Sequence, residues 1–156
     1  MSDQARILVI DDDENITKVV AVILSDKGYN VDTARSGNEA VKKTQKNHYD
    51  LMLIDIKLPD MEGTEILAKI RDTTPKIRKV IVTGYPTLNN AVAAVNKGAD
   101  AYIMKPFDVE KMLETVKEQL EKQKQERKFS EERVAEFIET RVKEMDYEEP
   151  KSTEKR

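Results

Sequence analysis

A chain of 156 residues holds one ordinary domain with roughly 30 to 40 residues to spare, which argues against a multi-domain enzyme. The net charge of −3 offers no one-signed basic field of the kind that non-specific nucleic-acid binding uses, and the absence of Cys excludes disulfides, thiolate metal sites and a cysteine nucleophile. Apolar residues make up 38% and charged residues 37%, and the surplus charge lies at the end: residues 121–156 hold 10 Lys and Arg and 11 Asp and Glu. Residues 1–120 can therefore build a core, and the remainder cannot build one alone.

Ile7-Leu8-Val9-Ile10 reads as a buried strand that stops at three aspartates, Asp11, Asp12 and Asp13. Ile16, Val19, Val20, Ile23 and Leu24 then fall on one helical face, which Gly28 closes. Asn30 to Ala34 is a short second strand, and Ser36-Gly37-Asn38-Glu39 is a capping-box pattern opening a helix through about Lys46. Leu51-Met52-Leu53-Ile54 is another buried strand, ending at Asp55.

After a loop with Pro59 and Gly63, a third helix is marked by Ile66, Leu67 and Ile70. Val80-Ile81-Val82 is a strand ending at Thr83-Gly84, followed by a helical face of Leu88, Ala91, Val92 and Val95 behind a Thr87 cap and before Gly98. Ala101 to Met104 is the last strand, ending at Lys105-Pro106, and Asp108 caps a fifth helix with Val109, Met112, Leu113, Val116 and Leu120 on one face. Unbroken apolar strands with a helix between each pair predict an α/β fold: a doubly wound parallel sheet covered on both faces.

In such sheets, ligands bind beyond the carboxyl ends of the strands. Those ends carry Asp11, Asp12, Asp55, Thr83 and Lys105. If strand order reverses between the first and third strands, three carboxylates converge there, and like charges that close call for a cation. Hard oxygen ligands without His or Cys favour Mg²⁺, with Mn²⁺ as a substitute. Asp55 is then the candidate nucleophile toward phosphorus, with the Lys105 ammonium, the Thr83 hydroxyl and the backbone N–H groups of Lys57 and Gly84 around the transferring group.

Each of these residues also has a plainer reading. Asp11 and Asp12 taken alone could equally be helix caps, the role expected of Asp13. Lys105 alone is a solvated lysine, Thr83 a turn residue, Tyr102 packing at a sheet edge and His48 a surface residue.

The order Asp11-Asp12, then Leu-Ile-Asp55-Ile-Lys57-Leu-Pro59-Asp-Met-Glu-Gly63, then Val-Thr83-Gly84, then Tyr102-Ile-Met-Lys105-Pro106-Phe107 closely resembles the receiver domain of two-component response regulators. The match spans about residues 5–120. The resemblance implies a flavodoxin-like (βα)5 sheet of order 2-1-3-4-5 and a phosphoryl acceptor, Asp55, served by a sensor histidine kinase or phosphotransfer protein. It implies Mg²⁺ held by Asp12 and Asp55 directly, by Asp11 through water and by the Lys57 backbone carbonyl. Thr83 and Tyr102 would be the switch pair, and Tyr85 and Lys57 would influence phosphoryl lifetime. It also implies a cis Lys105–Pro106 bond, an isomer that costs only about 0.5 to 1 kcal/mol at X-Pro.

The resemblance implies no enzyme beyond the protein's own phosphoryl transfer and slow autodephosphorylation. The alternatives are an aspartyl-phosphate hydrolase and a phosphorylation-independent scaffold. Hydrolases of the haloacid-dehalogenase type place a second Asp two residues after the nucleophile, where Lys57 stands here. A nucleotide-binding module is disfavoured because no strand-to-helix turn carries a glycine-rich phosphate motif.

The expected organisation is a receiver at 1–120, a charged helical extension at 121–146 and a disordered tail at 147–156. The longest apolar run, Val19 to Leu24, is too short to span a bilayer, and a cytoplasmic stand-alone receiver acting on a downstream protein target is expected. In the extension, Ser130 is available as a cap, and Val134, Phe137, Ile138, Val142 and Met145 predict a helical stripe to about Met145. That stripe is expected to be buried, against the receiver or across a homodimer formed through the fifth helix and the extension.

Overall fold

The structure, a computed structural model, describes residues 4–70, 76–84, 87–106 and 108–154. Tyr85 and Phe107, both singled out in the sequence, lie outside the described residues. Strands and helices alternate: β1 (Arg6–Ile10), α1 (Glu14–Asp26), β2 (Asn30–Ala34), α2 (Gly37–Lys46), β3 (Leu51–Asp55), α3 (Gly63–Lys69), β4 (Arg78–Thr83), α4 (Leu88–Asn96), β5 (Ala101–Met104) and α5 (Val109–Glu154). Among the described residues the strands of the sheet pair in parallel and the order is β2-β1-β3-β4-β5, so the expected reversal between β1 and β3 is present. Ile10 lies in register with both Ala34 and Ile54, and Asp55 with Val82. Asp11 and Asp55 therefore emerge side by side at the carboxyl edge.

Alternation along the strands divides the core in two. Ile7, Val9, Leu51, Leu53, Val80 and Val82 pack with Val20 and Leu24 of α1 and with Met112, Val116 and Leu120 of α5. Leu8, Ile10, Met52, Ile54 and Ile81 pack on the other face with Ala40 of α2, Ile66 and Leu67 of α3 and Ala94 of α4. Each fully buried Ile or Leu contributes about 1.5 to 3 kcal/mol, so these two layers hold the strand ends in fixed register.

The caps follow the sequence. Asp13 accepts from the Asn15 and Ile16 amides at the start of α1, and Ser36 Oγ accepts from the Glu39 amide at the start of α2. Glu39 reaches back to the Arg35 amide at 2.9 Å, one residue earlier than an ideal capping box. Asp108 Oδ1 accepts from the Lys111 amide at the start of α5. Gly28 and Gly98 turn the chain after α1 and α4 at φ of +91° and +101°, where a Cβ would be strained.

The opposite edge of the sheet is tied by polar side chains. Tyr49, wholly buried, donates its hydroxyl to Asp32 Oδ2 at 2.6 Å, with the Arg6 guanidinium 5.4 Å from its ring centroid. Burial and then the Asp32 hydrogen bond push its phenol up to about 12. Gln123 Nε2 of α5 donates to the carbonyls of Asp50 and Lys76 at 3.0 and 2.8 Å, joining the loops before β3 and β4.

The chain divides into two compact units, 1–123 and 124–156. In the second unit the helix differs from the sequence expectation. It continues through Ser130, which is not a cap, and past Met145 to Glu154, so the backbone expected to be disordered from 147 is helical as far as 154. High charge argued for disorder, but Glu, Lys, Arg and Gln are also strong helix formers, and no Gly or Pro occurs between Lys124 and Glu149. Ion pairs of the Glu139–Lys143 type, at 3.6 Å, add support on the helix surface. The stripe expected to be buried is exposed in this single chain: Val134, Phe137, Ile138 and Val142 each show half or more of their surface, as does Phe129 beneath the Arg133 guanidinium.

Candidate functional site

The carboxyl edge collects the residues that the strand ends carry. Asp11, Asp12 and Asp55 each offer a carboxylate oxygen within 4.8 Å of the others. Asp11 and Asp55 are buried, and Asp12 is exposed. Asp11 Oδ1 accepts from the Asp13 amide at 3.0 Å, which fixes its rotation.

Lys105 enters from the end of β5. Its backbone amide donates to the Thr83 carbonyl at 2.7 Å, and its Nζ lies 2.6 Å from Asp11 Oδ2 and 3.3 Å from Asp55 Oδ2. The Lys105–Pro106 bond is cis, as the resemblance implies. Thr83 is buried at the end of β4, with Gly84 following it beside the Lys105 Cβ. Tyr102 packs partly buried against the core on the side of α2, α3 and α4, its hydroxyl buried with no hydrogen-bond partner among the described residues. The Lys57 amide donates to Asp55 Oδ1 at 3.4 Å. His48, read from the sequence as a surface residue, is half-exposed, its Nε2 3.4 Å from Oδ1 of Asp50, which precedes β3.

Burial pushes the Asp55 carboxyl above the usual range, the Asp11 charge adds to this, and the Lys105 ammonium pulls the other way. For Lys105, burial lowers the ammonium, but its hydrogen bond to Asp11 and the charges of Asp55 and Asp11 outweigh it, and the net direction is upward. The two carboxylates beside the single ammonium leave the site with more negative than positive charge, which favours an added cation.

The donor set suits a hard divalent ion. It is all carboxylate oxygen, partly open to solvent through Asp12, with neither His nor Cys, which matches Mg²⁺ and its retained waters.

Two features of the loop after Asp55 escaped the sequence reading. The Asp60 carboxylate caps α2, its two oxygens accepting from the Gly37 and Asn38 amides at 2.9 and 2.8 Å. Gly63 at the start of α3 presses against the Asp55 backbone, and its amide donates to the Ile56 carbonyl at 2.6 Å. The motif signalled Gly63 only as a loop glycine, and nothing local to Asp60 pointed to a helix start 23 residues earlier.

Comparison with known proteins bears on this arrangement. The response regulator ArlR of Staphylococcus aureus is 37% identical over 122 residues, which are 77% of this chain and 54% of ArlR. The chain thus spans about half the length of the curated relatives it matches. A CheY-like receiver domain protein of Methanospirillum hungatei JF-1 superposes with a TM-score of 0.76 at 45% identity, over 80% of this chain and 99% of that one. A response regulator of Burkholderia pseudomallei, solved with a phosphorylated aspartic acid, a calcium ion and citrate, superposes with a TM-score of 0.66 at 34% identity, over 70% of this chain and 65% of that one. Residues 7–117 match the response regulator receiver domain, and with the strand order, the acidic cluster and these relatives in agreement, the chain belongs to that family.

Proposed function

We propose that this protein is a phosphorylation switch in which Asp55 accepts a phosphoryl group from the phosphohistidine of a sensor histidine kinase or phosphotransfer protein. One observation carries the reading: three carboxylates within 4.8 Å, two of them against the Lys105 ammonium. The Burkholderia relative, with its phosphorylated aspartate and bound divalent cation, supports it. Asp55 attacks phosphorus, the P–N bond breaks, and the imidazole keeps the electron pair, leaving an acyl phosphate on Asp55.

Lys105 would meet a non-bridging phosphoryl oxygen, and Thr83 would donate its hydroxyl to another. Asp12 and Asp55, the Lys57 carbonyl, and Asp11 through water would hold Mg²⁺ or Mn²⁺. Such an ion supplies neutralisation of the charge on the transferring oxygens. Thr83 and Tyr102 act as the switch pair, the ring filling space that the hydroxyl leaves. The role is signalling rather than turnover of an external substrate, with output through contacts to a downstream protein and self-association through α5.

Incubation with acetyl phosphate and Mg²⁺ tests this. Wild type should take up one phosphoryl group per chain, only with a divalent cation present, and should not turn over a phosphomonoester. Asp55→Asn, which fills the same volume without the nucleophilic charge, should not label. Labelling of the Asn variant at wild-type stoichiometry would refute the acceptor, and steady phosphomonoester turnover would favour a hydrolase.

A further inference from the structure

The loop from Ile56 to Gly63 is stitched at its base. The Ile56 amide donates to the Val82 carbonyl at 3.1 Å, the Gly63 amide to the Ile56 carbonyl, and the Leu58 amide to the Met61 carbonyl at 3.2 Å. An isolated antiparallel bridge pairs Lys57 with Glu62, so Lys57 and Asp60 occupy one tight turn.

Its tip is exposed at Pro59 and Asp60, Leu58 and Met61 pack partly buried against the core, and two contacts attach the turn to α2. One is the double Asp60 cap. The other is the Met61 side chain, laid over Gly37 so closely that a Cβ there would stand 2.5 Å from its Sδ. The positive end of the α2 dipole favours a carboxylate at that place, and the Asn38 and Gly37 amides hold the Asp60 carboxyl below the usual range. At the other side of the turn, the Lys57 amide reaches the Asp55 carboxylate.

We propose that Asp60 is a positioning residue for cation binding at Asp55: it pins the Lys57 turn to the start of α2 and so sets where the Lys57 backbone stands against the Asp55 carboxylate. The inference rests on the proposed function for the identity of the cation. It does not rest on it for the pinning of the loop.

A cap that served α2 alone would act like Ser36, whose Oγ accepts from the Glu39 amide at 3.1 Å within the same helix. That contrast supplies the control. Mg²⁺ affinity by calorimetric titration, and amide hydrogen exchange at Leu58 and Gly63 without metal, should be compared in wild type, Asp60→Ala, Asp60→Asn and Ser36→Ala. Asp60→Ala should weaken Mg²⁺ binding by about 10-fold, the lower end of what groups orienting metal ligands contribute. It should also speed exchange at both amides. Asp60→Asn, keeping one acceptor oxygen, should fall between, and Ser36→Ala should match wild type in both measurements. Equal weakening by Ser36→Ala and Asp60→Ala, or unchanged affinity and exchange in Asp60→Ala, would overturn the proposal. If wild type binds no Mg²⁺, the cation in the proposed function fails, and the exchange at Leu58 and Gly63 still decides the role of Asp60.

Discussion

Replacing Gly63 by Ala separates helix propensity from local geometry. Gly63 is the first residue of α3, and its φ is not positive, so conformation alone permits Ala. On propensity, Ala in a helix should gain up to about 1 kcal/mol over Gly. The surroundings reverse the sign. A Cβ at Gly63 would stand 2.9 Å from the Asp55 carbonyl carbon, 3.0 Å from Ile54 Cγ2 and closer still to the Asp55 carbonyl oxygen. Backbone atoms of a central strand cannot rotate away as a side chain can, so either α3 lifts or β3 shifts at its carboxyl end.

Overpacking against backbone atoms falls at the upper end of about 1 to 3 kcal/mol, and with the propensity gain of about 1 kcal/mol subtracted the net loss should be about 2 kcal/mol. At a urea m-value of about 2 kcal/mol/M, the unfolding midpoint should fall by about 1 M. Because the displaced atoms belong to Asp55, acetyl-phosphate labelling should slow by at least about 10-fold, in line with the penalty for misplacing a reacting group. Gly84→Ala is the comparison: a Cβ there meets Lys105 Cβ at 3.9 Å, an ordinary contact, and the midpoint should hold. A Gly63→Ala protein with the wild-type midpoint and labelling rate would refute the reasoning.

The raised Asp55 carboxyl has a stability signature without metal. Its contribution is fully present below the unfolded value and is lost as pH rises through the raised folded value. Asp55→Asn in EDTA should therefore melt higher than wild type at neutral pH, with the gap closing on acidification; a gap that widens in acid would contradict the shift. Tyr49→Phe removes the bond to Asp32 from a wholly buried ring and should cost about 1 to 2 kcal/mol in urea unfolding, whereas an unchanged midpoint would show that solvent replaces the partner. Removal of residues 129–156, which lie in the second compact unit, should leave phosphoryl uptake intact and lower self-association by sedimentation; an unchanged sedimentation profile would count against the stripe as a self-association surface.

What could be read from the sequence was what repeats locally or sits at a strand end. Four-residue apolar runs such as Ile7 to Ile10 and Leu51 to Ile54 marked the central strands because both their faces are covered. Asp55, Thr83 and Lys105 stood out because each follows such a run. Asp60 did not, since a carboxylate in a turn looks solvated until the fold brings the start of α2 to it. Gln119 and Gln123 were passed over because helical periodicity was judged on apolar residues, yet both are buried on α5. The helix beyond Met145 was missed because charge density weighs toward disorder in composition and toward helix in propensity.

The placement of Lys105 would make the proposed cation binding an exchange rather than a simple addition. The ammonium already holds Asp11 Oδ2 at 2.6 Å and Asp55 Oδ2 at 3.3 Å, so an ion drawing on the same oxygens loosens the lysine as it arrives. Under the proposed function, the affinity for Mg²⁺ would then be a difference between two occupants, and a bound ion would leave Lys105 freer to turn toward an incoming phosphoryl group. Affinity and reactivity should part company at this residue: Lys105→Ala binds the ion more tightly and accepts phosphoryl more slowly. Under the proposed function, competition for two carboxylate oxygens would put the cation first and the phosphodonor second.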